Sequence, residues 1–118
     1  MSVPLIPRRE LHFQLHDWLG IDALLQVPRF AAHSAETFDA VMDGCDRLAS
    51  EVFAPCYQAA DREEPHSDGE RVTVHPQTVD AVRAFAGSGL ISATEDESVG
   101  GMQLPVVVEK AALVNLYA

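Results

Sequence analysis

Hydrophobic and polar positions along this chain recur with the period of helices and almost nowhere with that of strands. From about Arg8 to Leu19 the apolar residues Leu11, Leu15, Trp18 and Leu19 fall at i, i+4, i+7 and i+8, a stripe along one helix face. Pro7 stands at its start, where a fixed φ suits a first turn. Gly20 follows as a stop that tolerates left-handed backbone. Ile21 to Leu25 add one short turn before Pro28. The longest pattern comes next. Ser34 is placed as an N-cap, with Glu36 and Asp39 near the positive end of the helix dipole. Phe38, Val41, Met42, Cys45, Leu48, Ala49, Val52, Phe53 and Cys56 then recur at steps of three and four. Pro55 cannot donate to the carbonyl of Glu51, so a kink or local unwinding is expected there. The helix resumes to about Ala60.

Residues Asp61 to Arg71 read DREEPHSDGER, a polar loop with Pro65 and an Asp68-Gly69 turn signal. Arg71 to Val74 suits a brief extended stretch but not a sheet, and no strand pair is expected. Pro76 opens a third helix with Val79, Val82, Phe85 and Ala86 on one side, closed by Gly87 and Gly89. Leu90 to Ala93 leads to a loop carrying Glu95, Asp96 and Glu97. The run Gly100-Gly101-Met102-Gln103-Leu104-Pro105 then launches a last helix, Val106 to Ala118. Only Glu109, Lys110 and Asn115 are polar there, and at about 100° per residue they point in three separate directions. Such a helix belongs inside a larger assembly, and no sequence follows to surround it, so it is read as the edge of something bigger. The expected fold class is all-α: a small bundle of four to five helices forming one domain over residues 1–118. Residues 1–30 form an N-terminal extension with one helix.

Composition narrows the function. Eight Lys and Arg against eighteen Asp and Glu leave a formal charge of −10. That balance disfavours nucleic acid, whose affinity rests on cationic contacts to phosphate, and an anionic membrane surface. It serves solubility or faces a basic partner. No run reaches the ~18 apolar residues of a membrane span, and the N-terminus lacks the apolar core of a signal peptide. Cys45 and Cys56, eleven positions apart in one predicted helix, would lie roughly 16 Å apart at 1.5 Å per residue, beyond disulfide reach. Two unpaired thiols suit a reducing cytoplasm.

Candidate chemistry is sparse. His12 and His16 have the i, i+4 spacing of a zinc-binding pair, but Asp17 lies on the wrong side of the helix to join them, and two partly exposed histidines is the simpler reading. Cys45, flanked by Asp43 and Asp46 on the apolar stripe, reads as a buried, inert thiol, as does Cys56. Gly100-Gly101 matches neither phosphate-binding glycine pattern and follows an acidic cluster, so it reads as a tight turn. Glu63-Glu64 and Glu95-Asp96-Glu97 fall in polar loops where solvated charge is the default. No catalytic, cofactor-binding or metal-binding residue is assigned.

Three stretches carry a resemblance. Leu48-Ala49-Ser50-Glu51-Val52-Phe53-Ala54-Pro55 with Ala60-Asp61, then His75-Pro76 through Phe85 to Gly87-Ser88-Gly89-Leu90, then Glu95 through Gly100-Gly101-Met102-Gln103-Leu104-Pro105 together resemble the N-terminal α-helical domain of the acyl-CoA dehydrogenase family. Gln103 stands where that pattern has its third glycine. His12-Phe13-Gln14-Leu15 through Leu19-Gly20 resembles a bacterial branch with an extended N-terminus. The resemblance implies a parent flavoprotein that uses FAD to dehydrogenate acyl-CoA thioesters between the α and β carbons. It also implies that the base and the flavin site lie in middle and C-terminal domains absent from these residues. On that reading this chain alone binds no FAD and is inactive, and its apolar last helix meets the missing domains or a second copy. The alternative is a stand-alone helical interaction or oligomerisation module.

Overall fold

The computed structural model describes residues 6–118; Met1 to Leu5, the first part of the predicted extension, lie outside the described residues. Five α-helices occur among the described residues: α1 (Arg8–His12), α2 (Ala35–Leu48), α3 (Ala54–Arg62), α4 (Pro76–Gly87) and α5 (Val106–Tyr117). The all-α expectation therefore holds at the level of class.

Helix α1 runs without a break into a π-helical segment, Phe13–Trp18. Its wider winding is visible in the amide of Leu19, which donates to the carbonyl of Gln14 five residues back at 2.9 Å. This corrects the predicted stripe. Leu11 and Leu15 are buried, but Trp18 and Leu19 are exposed, because a stripe drawn at α-helical pitch drifts off its face once the helix widens. Gly20 then takes a left-handed φ of +63° and stops the helix. Two short 3-10 turns, Ile21–Gln26 and Pro28–Phe30, carry the chain to α2.

The N-cap of α2 is Ser34. Its hydroxyl accepts from the amide of Thr37 at 3.2 Å while the Thr37 hydroxyl accepts from the amide of Ser34 at 3.2 Å. Two donors that the helix cannot satisfy internally are thereby satisfied reciprocally. The expected disturbance at Pro55 is a π-helical segment, Ala49–Phe53, after which α3 continues to Arg62. The proline nitrogen has no proton for the carbonyl four residues back, and the helix widens just upstream of it.

The polar loop holds a small correction. His66–Ser67 (β1) and Val72–Thr73 (β2) pair antiparallel, with His66 opposite Thr73. The Asp68 carboxylate closes this hairpin by accepting from the amides of Glu70 at 2.9 Å and Arg71 at 2.7 Å. Those amides hold its carboxyl below the usual range. Both strands are exposed, so the turn chemistry makes the pairing and not a buried face.

The core joins α2 to α5. Phe38, Met42 and Cys45 meet Val108, Ala112 and Leu113, with Leu11, Leu15 and Ile21 closing one side. Full burial of a side chain such as Phe38 stabilises by roughly 1.5–3 kcal/mol. In α4 the predicted apolar side is displaced. Ala81 is the buried residue and Phe85 is half-buried, whereas Val79, Val82 and Ala86 are exposed. The small Ala81 lets α4 lie close to α3 and leaves the valines outside.

The turn into α5 is tightly specified. Gly100 has φ +86°, and a Cβ at Gly101 would lie 2.1 Å from the carbonyl oxygen of Glu95. Gln103 has φ +50° without being glycine. Its side chain compensates, donating to the carbonyl of Arg29 at 3.1 Å and accepting from the amide of Glu97 at 3.2 Å. In α5 itself the three polar positions do not behave alike. Lys110 is exposed, but Asn115 is buried while the apolar Val106 and the aromatic Tyr117 face solvent.

Candidate functional site: an apolar groove between α3, α4 and α5

Where α3 and α4 diverge from the end of α5, they enclose an open groove of about 580 Å³. The π-helical segment supplies Phe53, α3 supplies Tyr57, α4 supplies Ala81 and Val82, and α5 supplies Leu116 and Tyr117. Phe53 is braced edge-to-face by Phe85, ring centroids 6.5 Å apart, a favoured aromatic geometry. The Cys56 thiol lies 3.6 Å from the Thr78 hydroxyl, linking α3 to α4 across the floor. No residue lining the groove has a charged side chain. Tyr57 is 76 % exposed, Val82 59 % and Tyr117 80 %, so its rim is a cluster of bulky apolar surface in water.

One wall is polar. Asn115, 6 % exposed, donates its Nδ2 to the Asp46 carboxylate. Its Oδ1 is buried and receives no hydrogen bond among the described residues. The second oxygen of Asp46 accepts from Arg8 Nη1 at 2.8 Å. Arg8 Nη2 donates to the carbonyl of Asp39 at 3.0 Å and faces Asp43 at 3.1 Å. This network ties α1, α2 and α5 together and leaves an acceptor without a donor beside the groove. The size and apolar lining match those of sites that take a small apolar body. The groove lining includes the Cys56 thiol and the Thr78 hydroxyl with no charged side chain beside them.

Of the residues singled out in the sequence, Cys56 lines the groove and the others fall elsewhere. His12 and His16 stack with centroids 4.4 Å apart, and His16 Nδ1 lies 3.0 Å from Asp22 Oδ1. The carboxylate that reaches this pair is thus Asp22 and not Asp17. No group of three or more His, Cys, Asp or Glu among the described residues could hold a metal ion. Cys45 and Cys56 are both free and buried. Burial first, and the neighbouring Asp46 charge second, push the Cys45 thiol up to about 11.

Around Gly100-Gly101 the amides are spent internally. Gly100 donates to Glu97 at 3.0 Å, Gly101 to Asp96 at 2.9 Å, Gln103 to Glu95 at 2.9 Å and Leu104 to Ala93 at 2.9 Å. The amides of Gly100 and Gly101 are thus both engaged within the turn. Of the acidic pairs, Asp96 meets Arg29 at 2.5 Å and Glu63 meets His75 at 3.6 Å. The groove is not visible in the sequence, where Phe53, Cys56 and Val82 read as core stripes. The contact of His33 is not visible there either. Its Nε2 donates between the carbonyls of Met102 at 2.9 Å and Gln103 at 3.1 Å, and no local pattern in the sequence signals a contact across seventy positions. No helix among the described residues is long and apolar enough to cross a membrane. No protein-family model, no curated protein and no solved structure matches this chain.

Proposed function

We propose that this chain is the N-terminal helical portion of an acyl-CoA dehydrogenase-like flavoprotein, whose groove between α3, α4 and α5 is an association surface. The observation that carries the reading is the backbone of Gln103. It adopts a φ of +50°, a glycine-like conformation at the position where the resembling pattern has glycine. Around it, the order of long proline-interrupted helix, His75-Pro76 helix, left-handed Gly89 and glycine turn is consistent with the same pattern. The parent reaction is FAD-dependent α,β-dehydrogenation of acyl-CoA thioesters. These residues do not fit a flavin site: the Gly100 and Gly101 amides are occupied and the groove lining has no cationic side chain for a pyrophosphate. No catalytic step is assigned to them, and the surface serves to meet the catalytic domains or another copy.

Co-expression tests this. With the middle and C-terminal domains of an acyl-CoA dehydrogenase, the chain is expected to co-purify as a yellow particle that reduces an electron-transfer dye when given acyl-CoA. The chain alone, supplied with FAD, acyl-CoA and dye, is expected to stay colourless and inactive. Dye reduction by the chain alone overturns the proposal, as does a folded chain that never captures the other domains.

A second reading, a stand-alone interaction module, is favoured by the exposed rim of Tyr57, Val82 and Tyr117. A soluble monomer rarely presents a clustered apolar surface without a partner. Concentration-dependent association with no capture of flavoprotein domains would select it.

A further inference from the structure

We infer that His75 is a proton-driven switch, which moves from the N-terminus of α4 to the carboxylate at the end of α3 when its ring is protonated. The device lies in the α4 wall and does not depend on what the groove receives. His75 is the N-cap of α4, and its ring does the capping: Nδ1 accepts from the amide of Gln77 at 3.1 Å. Pro76 has no amide proton, so Gln77 carries the first donor that the helix cannot satisfy internally. A backbone N–H only donates, so this bond requires a bare Nδ1 and places the proton of the neutral ring on Nε2. Nε2 faces Glu63 Oε2 at 3.6 Å, and Glu63 is the C-cap residue of α3. The His75 side chain is 16 % exposed. The ring is thus wedged between two helices, with one nitrogen turned to each.

Adding a proton changes which helix is held. The proton goes to Nδ1, where an N–H then opposes the amide N–H of Gln77, and the cap is lost. The imidazolium stands at the positive end of the α4 dipole, which repels it. Its contact with the Glu63 carboxylate becomes a charge-assisted bond. Both effects drive the ring the same way, off α4 and onto the end of α3. Histidine is the side chain that ordinarily makes this change between pH 5 and 8. Of the other charged groups around the cap, Asp61 and Arg62 belong to α3, Glu51 to the π-helical segment, Asp80 and Arg83 to α4, and Glu70 and Arg71 to the hairpin. None of these carboxylates comes within 4.0 Å of a ring nitrogen, as Glu63 does. The turn that loses its cap carries Thr78, whose amide donates to the His75 carbonyl at 2.9 Å. The Thr78 hydroxyl lies 3.6 Å from the Cys56 thiol on the groove floor. Acid therefore loosens the groove at its floor, from the α4 side.

Nuclear magnetic resonance on the full chain tests each part. At pH 8 the ring nitrogen shifts of His75 are expected to show the Nε2–H tautomer, and the Gln77 amide to exchange more slowly than in an unfolded peptide. Between pH 8 and pH 5 that protection is expected to fall by roughly threefold or more, the loss of one cap, in step with the titration of the His75 ring. Contacts between the ring and the Glu63 side chain are expected to strengthen over the same range. His75→Asn keeps a capping oxygen and does not titrate, so the protection of Gln77 is expected to stay flat in that variant. The wild-type tautomer is read without any substitution, so the geometry is tested even where a variant unfolds. An Nδ1–H tautomer at pH 8 overturns the proposal. So does Gln77 protection that is unchanged by pH in the wild type, or that falls equally in His75→Asn.

Discussion

Cys45 sits on the inner face of α2 with Asp46 as its neighbour, and its environment favours the neutral thiol. Its folded-state pKa is raised from an ordinary 9.0 to about 11. A group raised in this way stabilises the fold fully below its unfolded value, and that contribution is lost as pH rises through the folded one. Urea midpoints are therefore expected to fall between pH 9 and 11, and Cys45→Ala is expected to flatten that slope while lowering stability at pH 7 through the cavity it leaves. At pH 8 the native thiol is expected to resist iodoacetamide. Rapid native alkylation, or an identical pH slope in the variant, would contradict this account. The sequence already carried this residue: its place on the stripe and its acidic flanks both argued for an inert thiol. Gln103 was legible only halfway. Its misfit with a glycine pattern is visible in the sequence, but one of the two side-chain bonds that hold its left-handed backbone reaches Arg29, seventy-four positions away.

At the scale of elements, the tie between α2 and α5 is set by Asp46, which accepts from both Asn115 and Arg8. Removing the shared acceptor leaves two donors short of a partner, at a cost of roughly 1–3 kcal/mol. Asp46→Ala is therefore expected to destabilise clearly in urea unfolding. Asn115→Leu is expected to cost less, because Asp46 keeps Arg8 and the buried Oδ1 without a donor disappears. If the asparagine substitution proves the more damaging, the orphaned oxygen has a partner after all. The start of α2, both limits of α4 and the start of α5 could be read from caps, prolines and glycines because those signals are local. The outward turn of Trp18 and Leu19 could not, since a stripe read at one helical pitch contains no mark of where the pitch changes. The β1–β2 pairing escaped for a related reason, resting on one carboxylate and two amides and on no apolar alternation.

The whole molecule is thin. It measures 54 × 34 × 19 Å with a radius of gyration of 16.7 Å, against about 13–14 Å for a compact chain of this length. A thickness of 19 Å is about two helix diameters, so little stands above α3 and α4 to cover their outer side. Such a slab with a charge of −10 both offers apolar surface and repels its own kind. Salt screens the repulsion, with a Debye length falling from about 30 Å at 0.01 M to about 3 Å at 1 M, and leaves apolar contact intact. Association measured by sedimentation is accordingly expected to strengthen as salt is raised over that range. Weakening instead would point to a contact made by opposite charges. The groove was not legible at this scale, because its walls are drawn from three helices whose relative placement no local periodicity encodes.

The wide turn at Ala49–Phe53 has a consequence for how the longest rod of the molecule can evolve. It acts as one surplus residue spliced into an otherwise continuous spiral, absorbed without changing which compass direction the distal half faces. Because a π turn closes over one more residue than an α turn, excising Ser50 would return the segment to ordinary pitch and leave the distal half facing nearly the same way, with Cys56 still by Thr78 and Phe53 still by Phe85. A single-codon deletion in the regular turns of α2 or α3 has no such buffer: it would swing everything beyond it by about 100° and dismantle the cleft as thoroughly as losing one of its walls.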